Sequence, residues 1–231
     1  MAQHGKKYTA VAAKVTKEKS FELKAAIAFL KENTFTKFDE TAEMAFRLGV
    51  DPAKGDQNVR GTVSLPHGTG KNIRVIVFAA GSAAEAAKAA GADEVGFQEL
   101  VNRVRDGWTD FDVAIATAEA MTEVRKLGKV LGPRGLMPNP RTGTVTEDTA
   151  TAVKQFKAGR VEFKMDKNGN VAVPFGKLSF DVEKLAENGR AVIQAVLAAK
   201  PSAAKGIYIK RATVASTMGV GLTLDSREVA A

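Results

Sequence analysis

The chain has 231 residues, 45% hydrophobic and 26% charged, with 34 basic against 26 acidic side chains and a formal net charge of +8. That length suits one large or two modest domains able to bury a sizeable core. No Cys and two His exclude disulfides and thiolate metal sites and leave little for imidazole chemistry. There is no apolar run near the ~20 residues of a membrane span, and the basic N-terminus lacks an apolar leader core, so a cytosolic chain without a membrane partner is expected.

Residues 20–33 carry Phe21, Leu23, Ala25, Ile27, Ala28 and Leu30 at helical spacing, with Ser20 as the expected N-cap. Residues 38–48 alternate, Phe38, Ala42, Met44, Phe46 and Leu48 against Asp39, Thr41, Glu43 and Arg47, which predicts a half-buried strand. After a turn over 51–55, Val59, Gly61, Val63 and Leu65 mark a second strand. The pattern changes beyond Pro66. Residues 73–80 (IRVIVFAA) are almost continuously apolar, as in a strand buried on both faces of a parallel sheet. A helix over 82–90 capped by Ser82, a short strand at 94–96, a helix over 97–105, a buried strand over 112–117 and a helix over 119–127 follow. Strands alternating with helices of that length imply a doubly wound α/β sheet.

From about 146 the chain returns to the first type. A helix over 146–158 leads to a strand over 161–165, a hairpin turn at Asp166–Lys167–Asn168–Gly169 and a returning strand over 171–174. Asp181 is expected to cap a helix reaching 199, with Leu185, Val192, Ile193, Val196 and Leu197 as its apolar stripe, and further strands are expected over 205–211 and from 214. The expected organisation is a discontinuous α+β domain, 1–66 and 160–231, with a Rossmann-like α/β domain inserted at 67–159. The two end segments carry +3 and +4 of the net charge and the middle only +1. A basic outer domain points to a polyanion, nucleic acid being the usual one.

A nucleotide site is the first possibility a βαβ pattern raises. The run His67-Gly68-Thr69-Gly70-Lys71-Asn72 imitates a phosphate loop, but Leu65 stands where the first Gly belongs and Asn72 where Ser or Thr would hold magnesium. The turn at Ala80-Gly81-Ser82 has one Gly and no GxGxxG. Asp110 and Asp112 flank Phe111 beside Trp108, and are read as strand-edge residues facing opposite ways rather than a carboxylate pair. His4 and His67 have no evident nucleophile partner. No catalytic, metal or cofactor site is therefore expected, a nucleotide-dependent enzyme built on the inserted domain being the alternative.

Features of the outer segments suit RNA better. Lys37-Phe38 couples a charge to an aromatic ring, and Arg160, Lys164 and Lys167 surround the expected hairpin. Ser216-Thr217-Met218-Gly219 offers two hydroxyls, a flexible thioether and a Gly open to close approach. Hydroxyls and amides can bond ribose and phosphate, while flat apolar groups pack on exposed bases. Separately, residues 127–145 (LGKVLGPRGLMPNPRTGTV) form a long Gly/Pro/Arg loop, of which Gly132, Arg134, Gly135 and Pro138 are read as an interdomain connection.

Six motifs together carry a resemblance: KFDE (37–40), QNVRGTVSLPHG (57–68), DGWTDFD (106–112), GKVLGPRGLMPNP (128–140), AGRVEF (158–163) and STMG (216–219). The chain resembles the L-one family of large-subunit ribosomal proteins from about Phe35 to Gly219. That resemblance implies a protein of the cytoplasmic ribosome whose discontinuous domain binds a stalk junction of large-subunit rRNA beside other ribosomal components. The inserted domain would bind no dinucleotide. The stalk would help deacylated tRNA leave the exit site, and the protein would repress its own mRNA. By position, Lys37, Phe38, Thr41, Lys164, Lys167, Thr217, Met218 and Gly219 match the family's RNA-contact motifs. Val220 and Ala118 stand where the family pattern suggests Pro.

Overall fold

The computed structural model describes residues 5–15 and 20–229; His4 lies outside them. In chain order the elements are α1 (Lys6–Ala12), α2 (Leu23–Glu32), β1 (Thr41–Leu48), β2 (Arg60–Ser64), β3 (Val75–Phe78), α3 (Ser82–Ala89), β4 (Glu94–Gly96), α4 (Gln98–Arg105), β5 (Val113–Ala116), α5 (Met121–Val124) and α6 (Gly128–Leu131). They continue through α7 (Thr149–Ala158), β6 (Arg160–Lys164), β7 (Asn170–Lys177), α8 (Val182–Ala198), β8 (Ile209–Ser216), β9 (Leu222–Thr223) and α9 (Ser226–Val229). The fold is mixed α/β. The chain divides into two compact units, one running up to Gly70 and resuming at Val161, the other spanning Lys71–Arg160.

The first unit holds a four-stranded sheet in the order β7-β1-β8-β9 and a two-stranded sheet of β2 and β6. β1 lies antiparallel to both β7 and β8. Its alternation turns Ala42, Met44, Phe46 and Leu48 inward and leaves Glu43, Ala45 and Arg47 exposed. The inner face packs on Leu23, Ile27 and Leu30 of α2 and on Leu185, Val192 and Val196 of α8, in one core that also takes Val63 and Phe163 from the small sheet. Burying side chains of this size contributes roughly 1.5–3 kcal/mol each.

Several expectations are corrected here. Phe38 lies outside the strand, in a bend, and is exposed. Helix α2 starts at Leu23, because Phe21 is taken by the C-terminal segment: its N–H donates to Thr223 O at 2.9 Å and its carbonyl accepts from Asp225 N–H at 2.9 Å. Ser20 is therefore no cap. The Asp166–Gly169 turn forms, with Asp166 Oδ1 accepting from the Asn168 and Asn170 N–H groups at 2.8 and 2.7 Å. It joins two different sheets, however, since β6 pairs β2 while β7 pairs β1, so it is not a hairpin. Asp181 precedes α8 without a side-chain cap bond, and the late strands are one continuous β8 followed by the two-residue β9.

In the second unit β4, β3 and β5 are parallel, with β3 in the middle. All four residues of β3 are buried. Val75 and Val77 face Ala87 of α3 and Val153 and Phe156 of α7, while Ile76 and Phe78 face Leu100 and Val104 of α4 and Val124 and Leu131. Helices thus cover both faces, which is why the strand is apolar throughout. Ser82 is the first helical residue rather than the cap; Gly81 precedes it at φ 63°, a left-handed conformation that favours Gly.

Candidate nucleic-acid interface

At the start of β1, three backbone segments meet over one buried carboxylate. Glu40 is 1% exposed. Its Oε1 accepts from the Thr36 and Thr34 hydroxyls at 2.7 and 3.1 Å, and its Oε2 accepts from the Met218 N–H at 3.3 Å. Burial alone would raise this carboxyl, yet hydrogen bonds from Ser216, Thr36, the Met218 N–H and Thr34 outweigh it and hold the pKa below the ordinary Glu value. Glu40 was not among the residues singled out from sequence. An acid in a basic protein's KFDE motif reads as surface charge until the fold shows it enclosed by hydroxyls.

Around that carboxylate the loops are fixed by further bonds. The Thr41 N–H donates to Thr217 Oγ1 at 3.0 Å, and that hydroxyl donates back to Thr41 O at 3.4 Å. Lys177, the register partner of Thr41, donates to Thr41 Oγ1 at 2.9 Å and to Asp39 O at 3.2 Å. Ala42 pairs with Ser216 in the sheet. A Cβ at Gly219 would run into Ser216 Oγ, so the return after Met218 admits only Gly without a shift. With the polar groups thus engaged, two apolar side chains project: Phe38 is 56% and Met218 51% exposed. Lys37 and Thr217 are exposed beside them in sequence.

Seven expected residues, Lys37, Phe38, Thr41, Ser216, Thr217, Met218 and Gly219, therefore converge at one end of the four-stranded sheet. Lys164 and Lys167 do not join them. Both are exposed, and they lie toward the other end of β1, where Gly169 O accepts the Leu48 N–H at 2.8 Å and Met165 N–H donates to Val59 O at 2.9 Å. Arg160 falls in the second unit. Its guanidinium donates to Gln155 Oε1 at 2.5 Å and sits 5.4 Å from the Phe156 ring centroid.

The Gly/Pro/Arg loop belongs wholly to the second unit, between β5 and α7, and the chain passes between units elsewhere, at Gly70 and Arg160. Gly132, Arg134 and Gly135 are exposed and Pro138 is buried. Leu136, Met137 and Val145 pack on the unit's own core, and Arg134 bonds the Thr109 hydroxyl. Val145 adds a parallel bridge to Ala116 beside β5.

The remaining polar candidates have structural partners. Asp110 and Asp112 do not face opposite ways; both reach Arg74, at 2.5 and 3.7 Å, and Lys71 lies 2.6 Å from Asp112. Burial would raise Asp112, but the bonds from Lys71 and the Arg74 N–H hold it below the usual carboxylate value. Trp108 stacks under the Arg103 guanidinium, 4.2 Å from its centroid. The His67–Gly70 turn enters β3 instead of linking strand to helix. It is held from behind by Asn188, whose amide donates to Gly68 O and Phe175 O at 3.0 and 2.8 Å and whose oxygen accepts the His67 N–H at 3.1 Å. His67 itself pairs with Glu187 at 2.5 Å. Among the described residues no acid, His or Cys cluster suits a metal ion, and no helix is long and apolar enough to cross a membrane.

A family model described as the ribosomal protein L1p/L10e family matches residues 30–220. The chain is 56% identical over 225 residues to the large ribosomal subunit protein uL1 of Pseudarthrobacter chlorophenolicus, covering 97% of this chain and 96% of that protein. Proteins of the same description from Paenarthrobacter aurescens and an Arthrobacter species match with the same identity and coverage.

Proposed function

Because this chain belongs to the ribosomal protein L1p/L10e family, we propose that the first unit grips a junction of large-subunit rRNA through the cluster over Glu40. Family membership carries the coarse function: a structural protein of the large ribosomal subunit in the cytoplasm, not an enzyme. The alternative of a nucleotide-dependent enzyme on the second unit is set aside on that ground. What supports the RNA reading is chiefly the exposure of Phe38 and Met218 on a polar bed whose own bonds are already satisfied. Exposed aromatic and thioether groups have little reason to be held out in water, and they suit the unstacked bases and ribose faces of a folded RNA. Lys37, Lys164 and Lys167 supply charge for the backbone.

The finer role follows the family resemblance: the protein sits on the lateral stalk, assists release of deacylated tRNA from the exit site and represses its own mRNA by recognising a similar fold there. Thr217→Val and Met218→Ala are each expected to weaken binding to a stalk-junction transcript by ~1–3 kcal/mol, read by gel shift. Undiminished binding by both variants would overturn the assignment. Titration calorimetry with ATP and NAD is expected to show no heat, and a saturable signal would revive the enzyme reading.

A further inference from the structure

We propose that Arg47 and Arg211 form a phosphate clamp on the open face of the four-stranded sheet, a second grip on the same RNA roughly 20 Å from the Glu40 cluster (six residues along β1 at ~3.4 Å each). The inference rests on the RNA reading above. Arg47 on β1 and Arg211 on β8 are direct register partners in an antiparallel pair, with Asn170 of β7 on the other side of Arg47. Both arginines are exposed. Strand alternation sets Arg47 on the face opposite Met44 and Phe46, which are buried.

Like charges directly opposite each other destabilise a sheet. Among the described residues no acidic side chain pairs with either arginine: Arg47 enters no ion pair, and Arg211 donates to the neutral Thr223 hydroxyl at 2.7 Å. Asp225, just beyond β9, turns Oδ1 to the Arg227 N–H at 3.0 Å. Glu43 shares the face but lies two positions along, between Pro174 and Ala215. Two guanidinium forks side by side without an acidic partner match neighbouring backbone phosphates, each a monoanion, whose oxygens are the acceptors such forks bind bidentately.

The source is RNA rather than another phosphate because the pair is continuous with the first cluster. Between the two ends the face carries the small Ala45 flanked by Ala172 and Thr213, and then Glu43 between Pro174 and Ala215, so a strand laid along β1 passes one exposed carboxylate and takes its charge contacts at the arginine end. Lys167 lies toward the same end as the arginines, in the turn that Leu48 bonds. The protein would then hold apolar groups and hydroxyls against bases and ribose at one end and phosphate at the other.

The test uses the full chain and an in vitro transcript of the stalk-base junction, with affinities measured from roughly 50 to 300 mM salt. Arg47→Ala and Arg211→Ala are each expected to weaken binding about tenfold at low salt and to lower the salt slope by about 1, the slope change adding in the double variant. Met218→Ala should weaken binding with the slope unchanged. Thermal melting should show Arg47→Ala no less stable than the parent, since the repulsion is gone; a purely structural arginine would give a lower Tm. If the double variant binds with parental affinity and slope while Met218→Ala does not, the clamp is overturned and the RNA reading stands. If the Arg variants lose binding to unrelated RNA equally and Met218→Ala binds like the parent, both fall, leaving a surface for any polyanion.

Discussion

Glu40 does two jobs that a neutral residue cannot combine. It satisfies two threonine hydroxyls on one oxygen and the Met218 N–H on the other, and every one of those partners is a donor. Glu40→Gln would turn one acceptor into an NH₂ facing donors. The expected cost is about 2 kcal/mol at neutral pH, the scale for a charge-assisted bond replaced by an unpaired donor. Those donated hydrogen bonds hold the folded pKa below the ordinary Glu value, which the unfolded chain retains. The contribution is therefore complete above that value and is lost as pH falls through the lower, folded value. Urea melts of parent and Glu40→Gln should differ by a constant amount from pH 7 down to about 5 and converge in more acid solution. A gap unchanged down to pH 3 would mean that the charge contributes nothing to the fold.

Among elements, α8 shows how a helix face can serve a loop. Its apolar stripe was legible from spacing, and Leu185, Val192, Ile193 and Val196 are buried. Asn188 interrupts the stripe, yet it is 0% exposed because it ties the end of β7 to the turn leaving the first unit. Asn188→Leu should cost roughly 2–4 kcal/mol, since His67 N–H and two carbonyls lose their partners. Asn188→Asp, though closer in shape, should be comparably harmful because it sets an oxygen against two carbonyl oxygens; chemical denaturation would rank them, and a neutral Asp would refute the bonding pattern. The same logic explains what sequence could and could not reveal. Periodicity located β1, β3, β5 and α8, since burial alone fixes their patterns. It failed at Ser20 and Phe38, where the backbone's competing partner or the lack of one lies far away in sequence. It failed also at the 166–169 turn, whose local chemistry is right but whose flanking strands are claimed by β1 and β2. The exposed Phe38 and the STMG loop were legible as residue types; the carboxylate that organises them was not.

On the scale of the whole chain, the decisive fact is that the buried side chains form separate cores. One draws on α2, α8 and the strands before Gly70 and after Val161; the other two line the faces of the β4-β3-β5 sheet. Cooperativity follows shared burial, so two units with separate cores are expected to melt in two transitions by calorimetry rather than one. Ile115 is fully buried in the second unit. Truncation by Ile115→Ala removes about 2–5 kcal/mol from that unit, and should lower one transition while leaving the other in place. Every residue of the proposed grip, from Lys37 to Met218 and including Arg47 and Arg211, lies in the first unit, so RNA affinity below the lowered transition should be that of the parent. If Ile115→Ala shifted both transitions together, the two units would be sharing stability through contacts other than their cores. If it weakened RNA binding while the first transition stayed put, the second unit would hold part of the site.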